Sequence, residues 1–192
     1  MSPFESGNFE KYNRAEFFGR MEKNMAKIKR SEARDLLFTM LFETEFRSDD
    51  DPAKVFEIAC ENREIPDDKY IRQTFFGVMS RAELVDGVIS KYSKGWRADR
   101  LSKVSRTIIR IATYEMLFDN EIPANVSISQ AVELAVKYGE DRAKPFVNGV
   151  LSGLFKDIEE KGIDGVINGT LEEMRSADNS AESEGESEQD GE

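Results

Sequence analysis

The 192-residue chain contains no histidine and a single cysteine, and each shortage excludes a class of function. Without histidine, the commonest general base and the usual partner of a serine or cysteine nucleophile are missing, so catalysis has little support. Cys60 has no partner for an internal disulfide, and a zinc site would depend on carboxylates, so we expect no metal and no cofactor. No apolar run approaches the roughly 20 residues of a membrane span. Glu5, Glu10 and Glu16 interrupt any secretory signal, which predicts a cytoplasmic protein.

The net charge of -11 belongs to the C-terminal part of the chain. Residues 157–192 contain 13 acidic and 2 basic residues, which gives -11, whereas residues 1–156 contain 25 of each. A neutral core can carry a local basic patch, and local potential decides whether phosphate binds. The acidity of the whole chain therefore does not exclude RNA binding.

Composition divides the chain into three regions. Residues 1–26 form a polar N-terminal extension, and Met25 is a possible alternative start of translation. Residues 27–160 repeat apolar side chains at the helical period of roughly 3.6, which predicts an all-α domain. Residues 161–192 are acidic, and the part from Ser176 onward is dominated by Ser, Glu, Gly and Asp, so we predict a disordered tail. We also expect this polyanionic tail to compete with RNA for basic residues.

Seven helices are predicted within the central domain. Their ranges are 31–46, 53–62, 67–80, 81–92, 101–119, 129–138 and 145–160. The capping-box spacing that begins at Ser127 favours the start of the sixth helix, Gly139 suits a left-handed C-cap, and Pro145 can open the last helix. Arg106 and Arg110 lie one turn apart, and we interpret them as scaffold residues that form salt bridges between helices.

The first predicted helix places phenylalanines opposite its apolar stripe. Phe42 lies almost opposite the centre of the stripe, with Phe38 and Phe46 nearby. Four cations gather at the start of the helix, namely Lys27, Lys29, Arg30 and Arg34. The helix dipole disfavours cations there unless an anion compensates. Cations beside exposed rings are typical of sites for single-stranded nucleic acid, because charge holds phosphates while rings stack on bases. The alternative is a central helix buried on several sides, with ordinary surface lysines ahead of it.

Residues 142–151 contain a second group of basic and aromatic side chains. Phe146 lies near the start of the last predicted helix beside Arg142 and Lys144, where an anion can also use free backbone N–H groups. Asn148 and Gly149 are poor helix formers, each costing up to about 1 kcal/mol relative to alanine. For these two residues we favour structural roles, namely close helix packing at Gly149 and a backbone hydrogen bond from Asn148.

Four segments, in the same order and at similar spacing, resemble the NusB family. They are Arg30-Ser31-Glu32-Ala33-Arg34 with Leu41-Phe42, Trp96 with Asp99-Arg100-Leu101 and Arg106 to Glu115, Ile122-Pro123 to Tyr138-Gly139, and Phe146-Val147-Asn148-Gly149-Val150-Leu151. The last segment is the most specific, and the resemblance covers residues 27 to about 158. Ser129-Gln130 and Ser152 depart from the family's usual Asn-Glu and Asp, each time with a polar residue replacing a polar one.

The resemblance implies an all-helical fold of two packed sub-bundles and a function in transcription antitermination. The family binds the boxA element of ribosomal RNA leaders together with a small-subunit ribosomal protein, NusE, in a complex on RNA polymerase. By position, Lys29, Arg30 and Arg34 would hold phosphates. Phe42 and Phe146 would contact bases, and Arg142 and Lys144 would frame the same surface. Lys27 and Asn148 complete the predicted set of RNA-binding residues.

Two other functions stay open at the level of sequence. NusB-like domains also occur at the front of ribosomal RNA cytosine methyltransferases, although this chain has no Gly-rich cofactor loop and no catalytic cysteine motif. The second alternative is a protein-interaction module with reduced RNA binding. The enzyme alternative has the weaker support, since catalysis would need motifs that the sequence lacks.

Overall fold

The computed structural model describes residues 28–47, 49–66, 68–93 and 102–186, with side chains up to Ala177. These ranges contain seven helices and no strand. The helices are α1 (Arg30–Thr44), α2 (Pro52–Asn62), α3 (Lys69–Ser80), α4 (Ala82–Tyr92), α5 (Lys103–Phe118), α6 (Ala124–Tyr138) and α7 (Ala143–Glu186). The all-α prediction is confirmed. The predictions for residues 1–26, including Met25, and for Lys27, Trp96 and residues 99–101 lie outside the described residues.

Helix α5 connects two groups of helices. It contacts α1 and α3 as well as α4, α6 and α7. Helices α1, α2 and α3 form the first sub-bundle, and α4, α6 and α7 form the second. Ile108, Ile109 and Ile111 of α5 are at most 2% exposed, and burial of each such side chain contributes about 1.5–3 kcal/mol. This arrangement agrees with the two packed sub-bundles that the resemblance implied.

Aspartates fix the starts of two helices in the first sub-bundle. The carboxylate of Asp51 accepts a hydrogen bond of 2.9 Å from the backbone N–H of Ala53 at the start of α2. Asp68 accepts one of 3.0 Å from the backbone N–H of Ile71 in α3. Each aspartate satisfies an N–H group that lacks a helical partner. Both helices consequently begin within two residues of the predicted position.

The capping box predicted at Ser127 does not form. Helix α6 already begins at Ala124, and Ser127 is buried within it. Pro123 occupies the N-cap with φ -60° and ψ 137°, so its restricted backbone sets the helix start five residues before the predicted residue 129. Helix α7 likewise begins at Ala143, two residues before Pro145.

Gly139 ends α6 without the left-handed conformation that we predicted, since its φ is -91°. A Cβ at this position would lie 2.4 Å from the Cβ of Ala143 and 2.6 Å from the carbonyl oxygen of Ala135. Glycine is therefore required here for a close approach between α6 and α7. The left-handed glycine is Gly162, with φ 74°, which divides α7 into two helical parts.

Residues 163–186 are helical, so the disorder predicted from residue 161 is wrong for this segment. Val166 and Thr170 are 4% and 1% exposed, and Met174 is half-buried. These residues follow one another at a spacing of four, which places them on one helix face. The average composition of the segment is polar, so it did not indicate this narrow buried stripe. We call residues 163–177 the C-terminal arm.

The C-terminal arm packs against α4. A Cβ on Gly87 of α4 would lie 3.0 Å from side-chain atoms of both Thr170 and Met174. Lys91 of α4 adds an ion pair, with its Nζ 3.0 Å from Oε1 of Glu173. The helical domain therefore extends well past the boundary at residue 160 that composition suggested.

Arg106 and Arg110 form the scaffold ion pairs that their spacing predicted. Nη2 of Arg106 lies 2.6 Å from Oε2 of Glu45, and Arg110 pairs with the other oxygen of the same carboxylate. Arg110 also binds Asp86 through two hydrogen bonds of 2.7 and 2.5 Å. These contacts join α5 to the end of α1 and to α4, and the scaffold prediction is confirmed.

Cys60 is buried in α2, and loss of hydration raises the pKa of its thiol to about 11. A thiol of this kind is largely unreactive at neutral pH. Throughout the described ranges, no helix has the length and apolarity needed to cross a membrane. In the same residues, no three cysteine or carboxylate side chains are grouped as a metal site requires.

Candidate nucleic-acid interface

The start of α1 presents two exposed cations, Lys29 and Arg30. Lys29 occupies the N-cap with extended backbone and without a side-chain cap, and Glu32 is the acidic residue of the first turn. Among the residues that the structure describes, no carboxylate forms an ion pair with Lys29 or Arg30. The local charge is positive where free N–H groups also favour an anion.

Arg34 is 3% exposed, so it does not belong to this exposed group. Its Nε lies 2.8 Å and its Nη2 3.3 Å from the two carboxylate oxygens of Glu115 in α5. Burial lowers the pKa of Arg34, but the hydrogen bond and charge of Glu115 outweigh this effect and leave the pKa raised. Its charge is already neutralised in the interior, and the predicted role of Arg34 as a phosphate ligand is therefore wrong.

Tyr70 of α3 connects this buried pair to the surface. Its hydroxyl donates a hydrogen bond to Oε1 of Glu115. The guanidinium carbon of Arg30 lies 4.4 Å from the centroid of the same tyrosine ring. Burial raises the pKa of Tyr70, and the negative charge of Glu115 raises it further, so the hydroxyl keeps its proton at neutral pH.

The phenylalanines of α1 form a ladder of contacting rings. Phe38 is buried, and its ring stacks on Tyr138 of α6 with centroids 4.5 Å apart. Phe42 is half-buried, 5.8 Å from Phe38 and 5.2 Å from Phe46. Phe46 is 64% exposed, with Nζ of Lys103 3.8 Å from its ring centroid. The alternative of a helix buried on several sides is thus correct at Phe38, whereas part of the Phe42 ring stays exposed to solvent.

The second group of predicted residues lies around the start of α7. Arg142, Lys144 and Asn148 are exposed, and Phe146 is half-buried against the core. Gly149 is exposed too, and a Cβ there would meet no atom within 4 Å. The close helix packing predicted at Gly149 is therefore wrong. Asn148 makes no hydrogen bond to the described backbone, because its side chain points to the surface.

Contacts between α1 and α6 form a junction that lies near both groups along the chain. Asp35 of α1 accepts a hydrogen bond of 2.5 Å from Lys137 of α6, next to the stacked ring of Tyr138. Arg30 precedes Asp35 by little more than one turn, and Arg142 follows Tyr138 by four residues. Arg30 and Arg142 thus each lie five residues along the chain from the Asp35–Lys137 contact of this junction.

A cleft between α1 and α6 runs beside this junction. Its lining includes the carboxylates of Glu32, Asp35 and Glu133 together with Lys137. The cleft thus has three carboxylates and two cations, and one of these cations, Arg34, is already neutralised by Glu115. The remaining negative charge makes the cleft unfavourable for phosphate. A nucleic acid backbone would follow the exposed cations at the helix ends and avoid the cleft.

Tyr70 and Tyr138 contact side chains of α1, although the sequence predicted no role for either residue. The contact of Tyr70 with Arg30 depends on how α3 packs against α1, so no local pattern marks it. Tyr138 had one visible signal, since it is an aromatic residue at the end of an amphipathic helix, directly before Gly139.

A model of the NusB family matches residues 31–156, which include Phe42 and the second group of site residues and begin directly after Lys29 and Arg30. The chain belongs to the NusB family. It is 38% identical over 132 residues to transcription antitermination protein NusB of Bacillus licheniformis, covering 69% of this chain and 100% of that protein. The Bacillus subtilis protein of the same name is 38% identical over 133 residues, with coverages of 69% and 99%. The C-terminal arm lies beyond the residues that the family model matches.

Solved structures of NusB have a similar fold. Thermotoga maritima NusB has a TM-score of 0.64 at 36% identity, covering 69% of this chain and 94% of that one. A chain from the crystal structure of the antitermination factors NusB and NusE in complex with dsRNA has a TM-score of 0.60 at 28% identity. That likeness covers 66% of this chain and 96% of the other. The fold implied by the NusB resemblance is confirmed.

Proposed function

We propose that the protein is a transcription antitermination factor that binds single-stranded boxA-like RNA from ribosomal RNA leaders. It acts with a small-subunit ribosomal protein, NusE, and the pair joins a complex on RNA polymerase that supports processive transcription in the cytoplasm. This role requires binding, without catalysis or a cofactor. Its main support is that exposed cations and partly exposed rings occur on both chain segments beside the α1–α6 junction, in a family whose relatives are named antitermination proteins.

The exposed cations would neutralise phosphates. They are Lys29 and Arg30 at the start of α1, and Arg142 and Lys144 at the start of α7. Partly exposed rings beside them offer faces or edges to unpaired bases, and these rings belong to Phe42 and Phe146. The exposed amide of Asn148 can donate to and accept from a base edge. Lys27 adds one cation two residues before Lys29 in the sequence, and Arg34 is excluded because it is buried.

A duplex is the alternative RNA target, because a related complex of NusB and NusE contains dsRNA. Aromatic side chains stack on bases only where those bases are unpaired. The faces of Phe42 and Phe146 would contribute little to a duplex, in which the base faces are stacked on one another and only base edges, sugars and phosphates are accessible. The partly exposed rings therefore favour a single-stranded target.

Fluorescence anisotropy with labelled RNA tests the proposal. A single-stranded boxA-like RNA should bind more tightly than a scrambled strand and than a duplex of the same sequence. Addition of the purified ribosomal protein should tighten binding further. Equal affinity for the three RNAs would contradict the proposal. Binding of the ribosomal protein without RNA affinity would favour the protein-interaction alternative.

A matched pair of variants locates the surface. Replacing Lys29 and Arg30 together by alanine should weaken RNA binding about tenfold or more, since two charge-assisted contacts are lost. Lys156→Ala is the control. Lys156 is an exposed lysine of α7, about three turns after Lys144, and its ion pair with Glu160 at 3.7 Å is weak. A similar loss in the control would indicate nonspecific attraction.

A further inference from the structure

Tyr70 contacts two different arginines of α1. The guanidinium carbon of Arg30 lies 4.4 Å from the centroid of the tyrosine ring, and that of Arg34 lies 5.5 Å from it. The hydroxyl at the far end of the ring donates a hydrogen bond to Glu115. Tyr70 is 5% exposed, so its own surface is almost fully covered by these contacts and by the core.

The two arginines differ in whether a carboxylate neutralises their charge. Glu115 forms an ion pair with Arg34, and both side chains are buried. Arg30 is exposed, and within the described residues it contacts a ring and pairs with no carboxylate. A cation over an aromatic face is held without losing its charge. Arg30 is consequently restrained while its positive charge stays available to a ligand.

We propose that Tyr70 is a positioning residue for RNA binding, which holds the guanidinium of Arg30 at the start of α1 in the place where it meets a phosphate. The inference depends on the proposed RNA-binding function. A free arginine loses rotamer freedom when it binds, and a side chain that is already restrained loses less. Burial of Tyr70 in the core fixes the ring, and the ring in turn fixes Arg30.

A double-mutant cycle between Tyr70 and Arg30 tests this coupling. Tyr70→Leu should weaken RNA binding about two- to fivefold in the unsubstituted protein, as expected for loss of an exposed cation–π contact. In an Arg30→Ala background the same substitution should leave RNA affinity unchanged, because no guanidinium remains to be positioned. Equal losses in both backgrounds would overturn the proposal, since a purely structural effect does not depend on Arg30.

Tyr70→Phe separates the ring from the hydroxyl. It keeps the ring and removes the hydrogen bond to Glu115, so denaturant unfolding should show reduced stability while the RNA affinity stays within twofold of the unsubstituted protein. A loss of affinity as large as that of Tyr70→Leu would contradict a role for the ring.

An NMR measurement on the unsubstituted full chain covers the case in which Tyr70→Leu does not fold. The Nε–Hε resonance of Arg30 should show the upfield ring-current shift of a proton above an aromatic ring, and should keep it when boxA-like RNA is added. Absence of the shift, or its loss with RNA, would overturn the proposal. Failure of the unsubstituted chain to bind any RNA would instead contradict the proposed function itself.

Discussion

The Nε atom of Arg34 lies 2.8 Å from Oε1 of Glu115, and the two side chains are 4% and 1% exposed. This ion pair connects the second turn of α1 to the last turn of α5, and Tyr70 of α3 completes it with a hydrogen bond. Removing one partner of such a pair leaves a charge without compensation in the interior, which costs far more than loss of a surface pair. Arg34 therefore stabilises the fold and does not contact RNA.

Arg34→Ala should lower the free energy of unfolding by about 3–5 kcal/mol, because the carboxylate of Glu115 stays buried without its partner. Urea denaturation followed by circular dichroism measures this change. Arg30→Ala is the matched control, four residues earlier on the same helix and exposed. Its stability should change by about 0.5 kcal/mol or less, whereas its RNA affinity should fall more than that of Arg34→Ala. Equal stability losses in the two variants would contradict this division.

The contrast between Arg30 and Arg34 shows what sequence can predict. Both belong to one motif at the start of a helix, and no local pattern states which is buried. Arg34 is the buried one because the packing of α5 against α1 places Glu115 beside it. Local signals were sufficient where the cause was local, as at the caps of Asp51 and Asp68. The exposed cations were predictable for the same reason.

The C-terminal arm could not be predicted from composition, because its packing depends on a few side chains on one side of the helix. Val166, Thr170 and Met174 are few among the acidic residues, and their effect depends on the space that Gly87 leaves on α4. The scaffold role of Arg110 was predictable from its spacing, although its partners Glu45 and Asp86 were not. Helical periodicity thus predicted the elements, and tertiary packing decided the roles of individual side chains.

Two helical glycines should respond oppositely to alanine. A Cβ on Gly77 would lie 2.1 Å from Cζ of Tyr114, so the ring would have to move, and we expect a stability loss of about 1–3 kcal/mol. A Cβ on Gly149 meets nothing within 4 Å. Gly149→Ala should therefore stabilise the protein by about 0.5–1 kcal/mol, since alanine favours the helix. Thermal unfolding measures both changes, and a loss of stability in Gly149→Ala would show that close packing exists there.

Truncation after Glu160 should destabilise the protein, because it removes the C-terminal arm. Burial of Val166 and partial burial of Met174 against α4 would be lost, at a cost of about 2–5 kcal/mol. The control is truncation after Ala177, which retains every buried residue of the arm. Thermal unfolding of the two shortened proteins measures the difference, and equal unfolding temperatures would argue against a structural role for the arm.

Truncation after Ala177 also tests competition between the acidic tail and RNA. It removes seven acidic residues and no basic one. If these carboxylates compete for the cations at the helix ends, RNA binding at low salt should tighten, and the difference should shrink as salt screens the competition. Anisotropy titrations of the shortened and full-length proteins measure this effect. Identical affinities at low salt would eliminate the competition.

The salt dependence of RNA binding counts the phosphate contacts. Each contact to a single strand contributes about -0.7 to the slope of log affinity against log salt, so four exposed cations give roughly -3. Replacing Arg142 and Lys144 by alanine should make the slope less steep by about 1.4, because two contacts disappear. Lys156→Ala, on the same helix, should leave it unchanged. A flat salt response of the unsubstituted protein would mean that the cations at the starts of α1 and α7 do not hold phosphates. An unchanged slope in the double variant would remove the start of α7 from the interface and confine binding to α1.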